Sequence, residues 1–523
     1  MRASTPIRAV VALSAVLLLA SCSAPSTTPP PGASSDATAD RTATVTYAGL
    51  VTPSNLDPHR GVTENDIPFL RYIYDTLTTV NAEGAPAPFL AESWELSEDG
   101  KTFTLVLREG ATFVDGEPVD AAAVAANLDR MINDLNSTVA YILGPIIASS
   151  EVVDERTVQL NLQAPGGALP TIFASRTGMM VSPKALANPE SLAITPAGAG
   201  AFELVANVPG SSYSLERRDD YWDEDAYQYK KLEYLIQVDT STRLNALQAG
   251  ETTLTSVVGA QKQEAEAAGL NTWLMESPGT AFARMSLNSS RSEFGNKLVR
   301  QAMNAAIDRQ GISTTLYAGQ CIPSAQPYPA GYFAHSDTVD DSGWSTYDPD
   351  LAKKLLAEAG LAKGFAFTAV VPTLSIYNNT ALVLQANLAE VGITMNLEVL
   401  DATQARQAFV TGSADALVGV YGGSTDPGLY AMSAYSPKSG DNPGGLTTPN
   451  MAKLIEDTQR STDIEERGDA YDALMEEVFE MGPAQIAICA PLGVHAGQKT
   501  VHEFNQTPSL GASAAMRKMW VTE

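Results

Sequence analysis

The groups able to make or break bonds are few, and each short pattern that begins to look catalytic stops before it is complete. There are four histidines, His59, His335, His495 and His502, a thin supply of general bases and metal ligands near neutral pH. His502 and Glu503 open a His-Glu-x-x-His zinc motif, but the second histidine would stand where Gln506 is. His495 and His502 could share a face and read more simply as core or surface residues. Gly100, Lys101 and Thr102 end like a phosphate loop whose first glycine would fall on Glu95, and the triplet lies in a hairpin turn. Gly198 and Gly200 begin a dinucleotide fingerprint that fails at Glu203. Gly422, Gly423, Ser424 and Thr425 start like a hydrolase nucleophile elbow but reach Asp426 where glycine is needed, and no lysine has a serine three residues before it. No enzyme, cofactor or metal site is therefore expected; the rival reading is an exported hydrolase with a dispersed Ser, His, Asp set.

One thiol does have an expected chemical role. Met1 to Arg8 carries Arg2 and Arg8 without an acid, and Ala9 to Ala20 is a run of small and aliphatic residues. The run is shorter than the roughly 20 residues needed to cross a bilayer, and it suits a signal peptide. It ends in Leu19, Ala20, Ser21 and Cys22, which resembles a bacterial lipobox. Residues 1–21 are thus expected to be a lipoprotein signal peptide and Cys22 the lipidated residue. Several acyl chains, at ~0.8 kcal/mol per buried CH₂, hold such a protein durably on a membrane. Residues 22–42 then form a tether rich in Ser, Thr, Pro and Ala, including Pro29, Pro30 and Pro31, with too little apolar surface to offset the entropy of ordering. The expected location is the extracytoplasmic side of the cell membrane.

The rest of the chain must fold into an ordinary core. Its 523 residues allow two to four packed units, and 44% hydrophobic with 18% charged residues suits a globular body. With 33 Lys and Arg against 60 Asp and Glu, the formal charge is −27. Such a surface repels phosphate backbones, which disfavours nucleic acid as a partner, and reads as solubility outside the cell. Three cysteines without a Cys-x-x-Cys spacing form neither a disulfide framework nor a structural metal site.

Strand signals dominate from Ala43 to about Gly259. Phe103, Leu105 and Leu107 alternate with polar residues after the Asp99-Gly100 turn, Val158, Leu160 and Leu162 after Asp154, and Leu232, Tyr234, Ile236 and Val238 form a further alternation. A helix is expected from Thr240 to Ala249, with Gly250 behind it. Val299, Ala302, Met303, Ala306 and Ile307 lie at i, i+3, i+4, i+7 and i+8 and predict one apolar helical stripe closed by Gly311. Asp348 and Pro349 start a helix that Gly360 stops. Phe365 to Val371, a helix to Val391, and Ile393 to Val399 make a β-α-β unit, with a strand near Asp415 to Tyr421 joining its sheet. The sum is two mixed α/β lobes and a β-rich insertion, and ligands in such architectures sit between lobes.

From Leu56, Asp57 and Pro58 onward the chain resembles the family 5 extracellular solute-binding proteins, the peptide and nickel receptor class of ABC importers. Pro88 to Arg130 carries the longest stretch of likeness: Phe89 to Trp94, Ser97 to Thr104, Leu107 to Gly110, and Phe113 to Pro118. Gly198, Gly200 and Phe202, then Arg217, Tyr221 and Trp222, then Leu287 and Asn288, and finally Asp426 and Pro427 follow in family order. Trp94, Tyr221 and Trp222 read as packing residues, and Arg108 and Arg217 as partners of structural acids.

The resemblance implies a bilobed periplasmic-binding-protein-like α/β fold of class II type with an extra β-rich subdomain in the first lobe. Lobe I would comprise residues 43–80, 195–285 and 490–523, the inserted subdomain 81–194, and lobe II 286–489. It also implies a receptor, expected to be monomeric, that closes on a small solute, peptide-like before a sugar or a metal chelate, and hands it to permease subunits. Its pocket is expected at Gly49, Leu50 and Thr52 after the first strand, at Asn288, and along the strand end Leu417, Tyr421, Gly422, Gly423, Ser424 and Thr425, with Tyr430 and Tyr435 nearby able to stack on a ring. In oligopeptide-binding relatives an acid three residues before that of the Asp-Pro pair holds the peptide amino terminus; here that position is Gly423. Export also permits a Cys321–Cys489 disulfide, set against two separate buried thiols as the preferred reading.

Overall fold

The structure, a computed structural model, describes residues 38–50, 52–61, 66–275, 280–291, 293–437, 439–504 and 516–523. The expected signal segment and the expected lipidation site Cys22 lie outside the described residues. Three main sheets organise the body. The first has seven strands in the order Asn271–Leu274, Val494–Gly497, Leu254–Val257, Thr44–Gly49, Lys231–Ile236, Ser212–Arg217 and Phe202–Val208. The second has six, Cys321–Pro323, Gln485–Pro491, Phe282–Leu287, Ala416–Tyr421, Ala366–Pro372 and Thr394–Leu400. The third is the antiparallel set Ala91–Leu96, Thr102–Leu107, Thr157–Leu162 and Ile147–Val152. Between the first and second sheets the chain passes from Leu274 to Phe282 and returns from Pro491 to Val494.

Local rules account for much of this. Phe103, Leu105 and Leu107 are fully buried on one face, as period-2 alternation requires, against the helix Ala121–Asn133 and its inward Val124, Leu128 and Met131. Each such side chain removes apolar area worth about 1.5–3 kcal/mol from water. Asp348 caps the helix Pro349–Glu358 through the Leu351 amide at 2.8 Å, with Pro349 in the first turn, and Gly360 takes φ +80° behind it. The β-α-β unit is present: Ala366–Pro372 and Thr394–Leu400 run parallel around the helix Ser375–Glu390, and Ala416–Tyr421 adds parallel to the first of them.

Three expectations are corrected. The stripe from Val299 outruns its helix, which is Lys297–Ala305 with Ala306 as C-cap, and Ile307 falls in the connection to a second helix, Arg309–Tyr317. The break falls at Asp308, whose carboxylate accepts the Gly311 amide at 2.8 Å, so Gly311 sits in the first turn of the second helix instead of closing the first. The alternation from Leu232 ends at Ile236, and Val238 beyond it is exposed. The two cysteines are not separate thiols: Cys321 and Cys489, both buried, are joined, because the strands Cys321–Pro323 and Gln485–Pro491 are antiparallel neighbours.

The aromatic and arginine motif turns out to be a joint. Trp222 packs against the cores of both the first and the third sheet. Its Nε1 donates to the buried carboxylate of Asp75 at 2.7 Å, and the Tyr221 hydroxyl donates to the same group at 3.0 Å. Among the described residues Arg108 makes no salt bridge with an acid; its guanidinium lies 3.5 Å from the Trp222 ring centroid and donates to the Phe89 carbonyl. Arg217 donates to the backbone carbonyls of Ala226, Arg218, Asp223 and Glu224.

The bridge closes a separation of 168 residues. The double variant Cys321→Ala/Cys489→Ala is expected to lose about 2–5 kcal/mol in guanidinium unfolding; a midpoint equal to that of the oxidised parent would show that the bridge contributes nothing.

Candidate ligand-binding site

The strand Ala416–Tyr421 runs between Phe282–Leu287 and Ala366–Pro372, so its first residues are buried on both sides and its last ones emerge. The loop that follows is shaped by one glycine. Gly423 has φ +87°, and a Cβ there would lie 2.8 Å from Thr280 Oγ1 and 3.2 Å from the Ala281 nitrogen. Thr280 staples the loop by accepting from the Ser424 amide at 2.8 Å and donating to the Ser424 carbonyl at 2.5 Å. The missing acid at 423 is therefore a backbone requirement of this loop. Gly422, by contrast, faces open space.

Asp426 ends the loop and is fully buried. One oxygen accepts the Gly428 amide at 2.7 Å and caps the helix Pro427–Tyr435. The other accepts Arg467 Nη2 at 2.6 Å and the Thr171 hydroxyl. Arg467 stands on the helix Ile464–Glu480 and Thr171 on the short helix Leu169–Ile172, so one carboxylate joins three segments. Burial works against the Arg467 charge, but the Asp426 carboxylate overcomes it and raises the guanidinium above its ordinary value. Next to this joint the Gly167 amide donates to the Gln459 carbonyl at 2.7 Å.

Beside these contacts lies a cavity of about 840 Å³, within the range of small-molecule sites. One wall comes from the segment after the third sheet's helix, with Tyr141, Ile142 and Ile146, and from Ile172 to Thr177. The other comes from the second sheet and its helices, with Tyr421, Gly423, Ser424, Thr425, Met432 and Ile455. The Thr425 hydroxyl on this wall is buried without a partner among the described residues, which costs roughly 1–3 kcal/mol until something hydrogen-bonds it.

A charged cluster closes one end. Asp441 Oδ1 accepts Arg284 Nη2 at 2.6 Å and Arg406 Nη1, and Oδ2 accepts the Ser433 hydroxyl at 2.6 Å. Burial pushes the Asp441 carboxyl up, but the Arg284 and Arg406 guanidiniums outweigh it and hold it at about 2. Arg284 also spans the rings of Tyr421 and Tyr430 at 5.4 and 5.8 Å from their centroids.

A family model described as bacterial extracellular solute-binding proteins, family 5 Middle, matches residues 85–443. The chain belongs to this family. It is similar to the glutathione-binding protein GsiB of Salmonella paratyphi A, 33% identical over 337 residues, 63% of this chain and 64% of that one. The chain thus matches just under two thirds of that relative's length. The glutathione-binding protein of Escherichia coli K12 is 28% identical over 477 residues, covering 88% of this chain and 91% of its own. The structure of the ABC transporter-associated periplasmic binding protein DppA from Helicobacter pylori in complex with the peptide STSA superposes with a TM-score of 0.77, at 22% identity, over 92% of this chain and 98% of that one, a likeness of fold.

The expected pocket residues separate. Tyr421, Gly423, Ser424 and Thr425 line the cavity of this family 5 protein. Gly49, Leu50, Thr52, Asn288 and Leu417 do not lie on that wall. Gly49 backs onto the Tyr234 hydroxyl, Leu50 and Thr52 are exposed, and Leu417 packs with Val370, Ala405 and Phe409. Asn288 spends its amide on the carbonyls of Gly412 and Ala414 and on Ser290. Tyr430 and Tyr435 are buried in an aromatic core and have no face for a ring. Sequence reasoning missed the opposing wall at 139–177 and the Arg406–Asp441 cluster; the serines at 433, 436 and 439 ahead of Gly440 and Asp441 were the available signal.

Two outcomes follow from this geometry. Gly423→Ala is expected to lower the melting temperature clearly more than Gly422→Ala, since only the former meets both positive φ and Thr280; equal losses in calorimetry would contradict the staple. Asp441 is depressed in the folded state, so its stabilisation is present above about pH 4 and is lost as pH falls towards about 2. The melting-temperature gap between the parent and Asp441→Asn should therefore shrink over that interval, and a constant gap would overturn it.

Proposed function

We propose that this chain is the extracytoplasmic receptor of an ABC importer, held on the cell membrane through an acylated Cys22 and a tether to about residue 42. Residues 43–80, 195–285 and 490–523 act as lobe I with 81–194 as its subdomain, and 286–489 as lobe II. The observation that carries this reading is the cavity, whose two walls belong to different sheets while the chain passes only twice between the first and second sheets. Contacts from both walls exist together only when the cleft is shut, so a solute shifts an open and closed equilibrium by its differential affinity for the two states. The solute is a small peptide or peptide-like molecule: the cavity has the right size, and the similar proteins are named for glutathione or were solved with a peptide.

Binding without turnover is the expected chemistry. None of the described histidines lines the cavity, so Ser424 and Ser433 have no imidazole base there. His59 is buried elsewhere, pushed down to about 4 by burial despite the Asp57 carboxylate, and its ring bonds the Met179 carbonyl and Arg130.

Native mass spectrometry of the lipid-free protein, paired with small-angle scattering, tests the reading. One solute per chain and a smaller radius of gyration on binding are expected; catalytic conversion of a retained solute, or no compaction with any solute, overturns it.

A further inference from the structure

Two glycines in the segment 81–194 let the backbone of that segment meet residues of the segment 286–489 at close range. Gly167 is buried between the strand Thr157–Leu162 and the short helix Leu169–Ile172, and its amide donates to the Gln459 carbonyl at 2.7 Å. A Cβ on Gly167 would fall inside the Ser461 backbone, 2.6 Å from its nitrogen. A backbone has no rotamer by which to give way to such an overlap. Yet Gly167 lies outside the left-handed region, so alanine suits its own chain. The absent side chain is a requirement of the approach of 459–461 and not of the local turn.

The second point is the turn between the strands Thr78–Val80 and Pro86–Pro88. The Phe333 amide donates to the Glu83 carbonyl at 3.2 Å, and the Tyr332 ring packs on Gly84, where a Cβ would lie 2.7 Å from Cδ2. Gly84 has φ +80°, so here the turn demands glycine as well. The Thr171 hydroxyl on Asp426 is a third contact between the same two parts. None of the three needs a solute. Among the described lining residues, Ala164, Pro165 and Gln459 face the cavity, while Gly167 and Ser461 stand behind them and do not. A contact made only in the shut form, whatever the solute, raises the fraction of chains competent to bind, and apparent affinity scales with that fraction.

We propose that Gly167 is a positioning residue: by leaving room for the Ser461 backbone it lets the segments 164–167 and 459–461 latch, holds part of the solute-free population shut, and sets the affinity for every solute by one common factor without touching any of them. This rests on the receptor reading above and adds the regulation of the same site.

The test uses the lipid-free chain with nitroxide labels at the exposed positions Lys101→Cys and Lys353→Cys, one on each part, and with glutathione and a mixture of di-, tri- and tetrapeptides as probes. Without probe, the labelled parent should show a short-distance population in pulsed electron resonance that Gly167→Ala loses, while the melting temperature stays within about 2 °C. Gly166→Ala, whose Cβ meets only Leu162 and Leu169 of its own segment, should keep that population. In native mass spectrometry each probe retained by the parent should bind Gly167→Ala more weakly by the same factor, about tenfold. Hydrogen exchange needs no variant: the Gly167 amide should be protected in the solute-free parent. Unchanged distances in Gly167→Ala, the same loss in Gly166→Ala, weakening confined to some of the probes, or a Gly167 amide that exchanges freely in the solute-free parent overturns the latch. Retention with compaction beside any of these leaves the receptor reading standing; no retention and no compaction by the parent ends both.

Discussion

The buried carboxylate of Asp426 is the interaction on which the cleft depends. An ionised group removed from water costs several kcal/mol unless charge and hydrogen bonds replace its hydration. Here one oxygen is spent on the Gly428 amide and the other on Arg467 and Thr171. Those partners come from the helix after the loop, from the long helix Ile464–Glu480, and from the wall contributed near the third sheet. Satisfying one charge therefore sets the loop Gly422–Thr425, the direction of the following helix and the approach of the opposite wall together.

The Asp441 cluster follows the same physics with a different balance. Asp426 sits fully buried with one guanidinium, whereas Asp441 has two, and the second stands at the water boundary of the cavity. The first arrangement joins segments, and the second leaves a cation over.

Much of the fold was legible residue by residue. The Asp348-Pro349 start and Gly360 stop, the Phe103 to Leu107 alternation, and the parallel unit around Ser375–Glu390 all follow from capping, period and turn chemistry over a few residues. The Val299 stripe misled at its end because Ala306 and Ile307 stay buried beyond the last helical residue, so the apolar phase outran the helix, while the Asp308 cap of the next helix is a local signal that was outweighed. Arg108 was read as an ion-pair residue because the charge is visible in sequence and the Trp222 face that receives it is not.

The sequence by itself determined the element types, the family and the excess of negative charge, because each is a sum over local or compositional terms. Only the tertiary structure decided where a solute can sit. Thr171 meets Asp426 across 255 residues and Arg284 meets Asp441 across 157, and no local rule encodes such contacts. Gly423 shows the difference at one position: by sequence it is an acid that is missing, and in the fold it is a backbone turned left-handed against Thr280, where a side chain has no room.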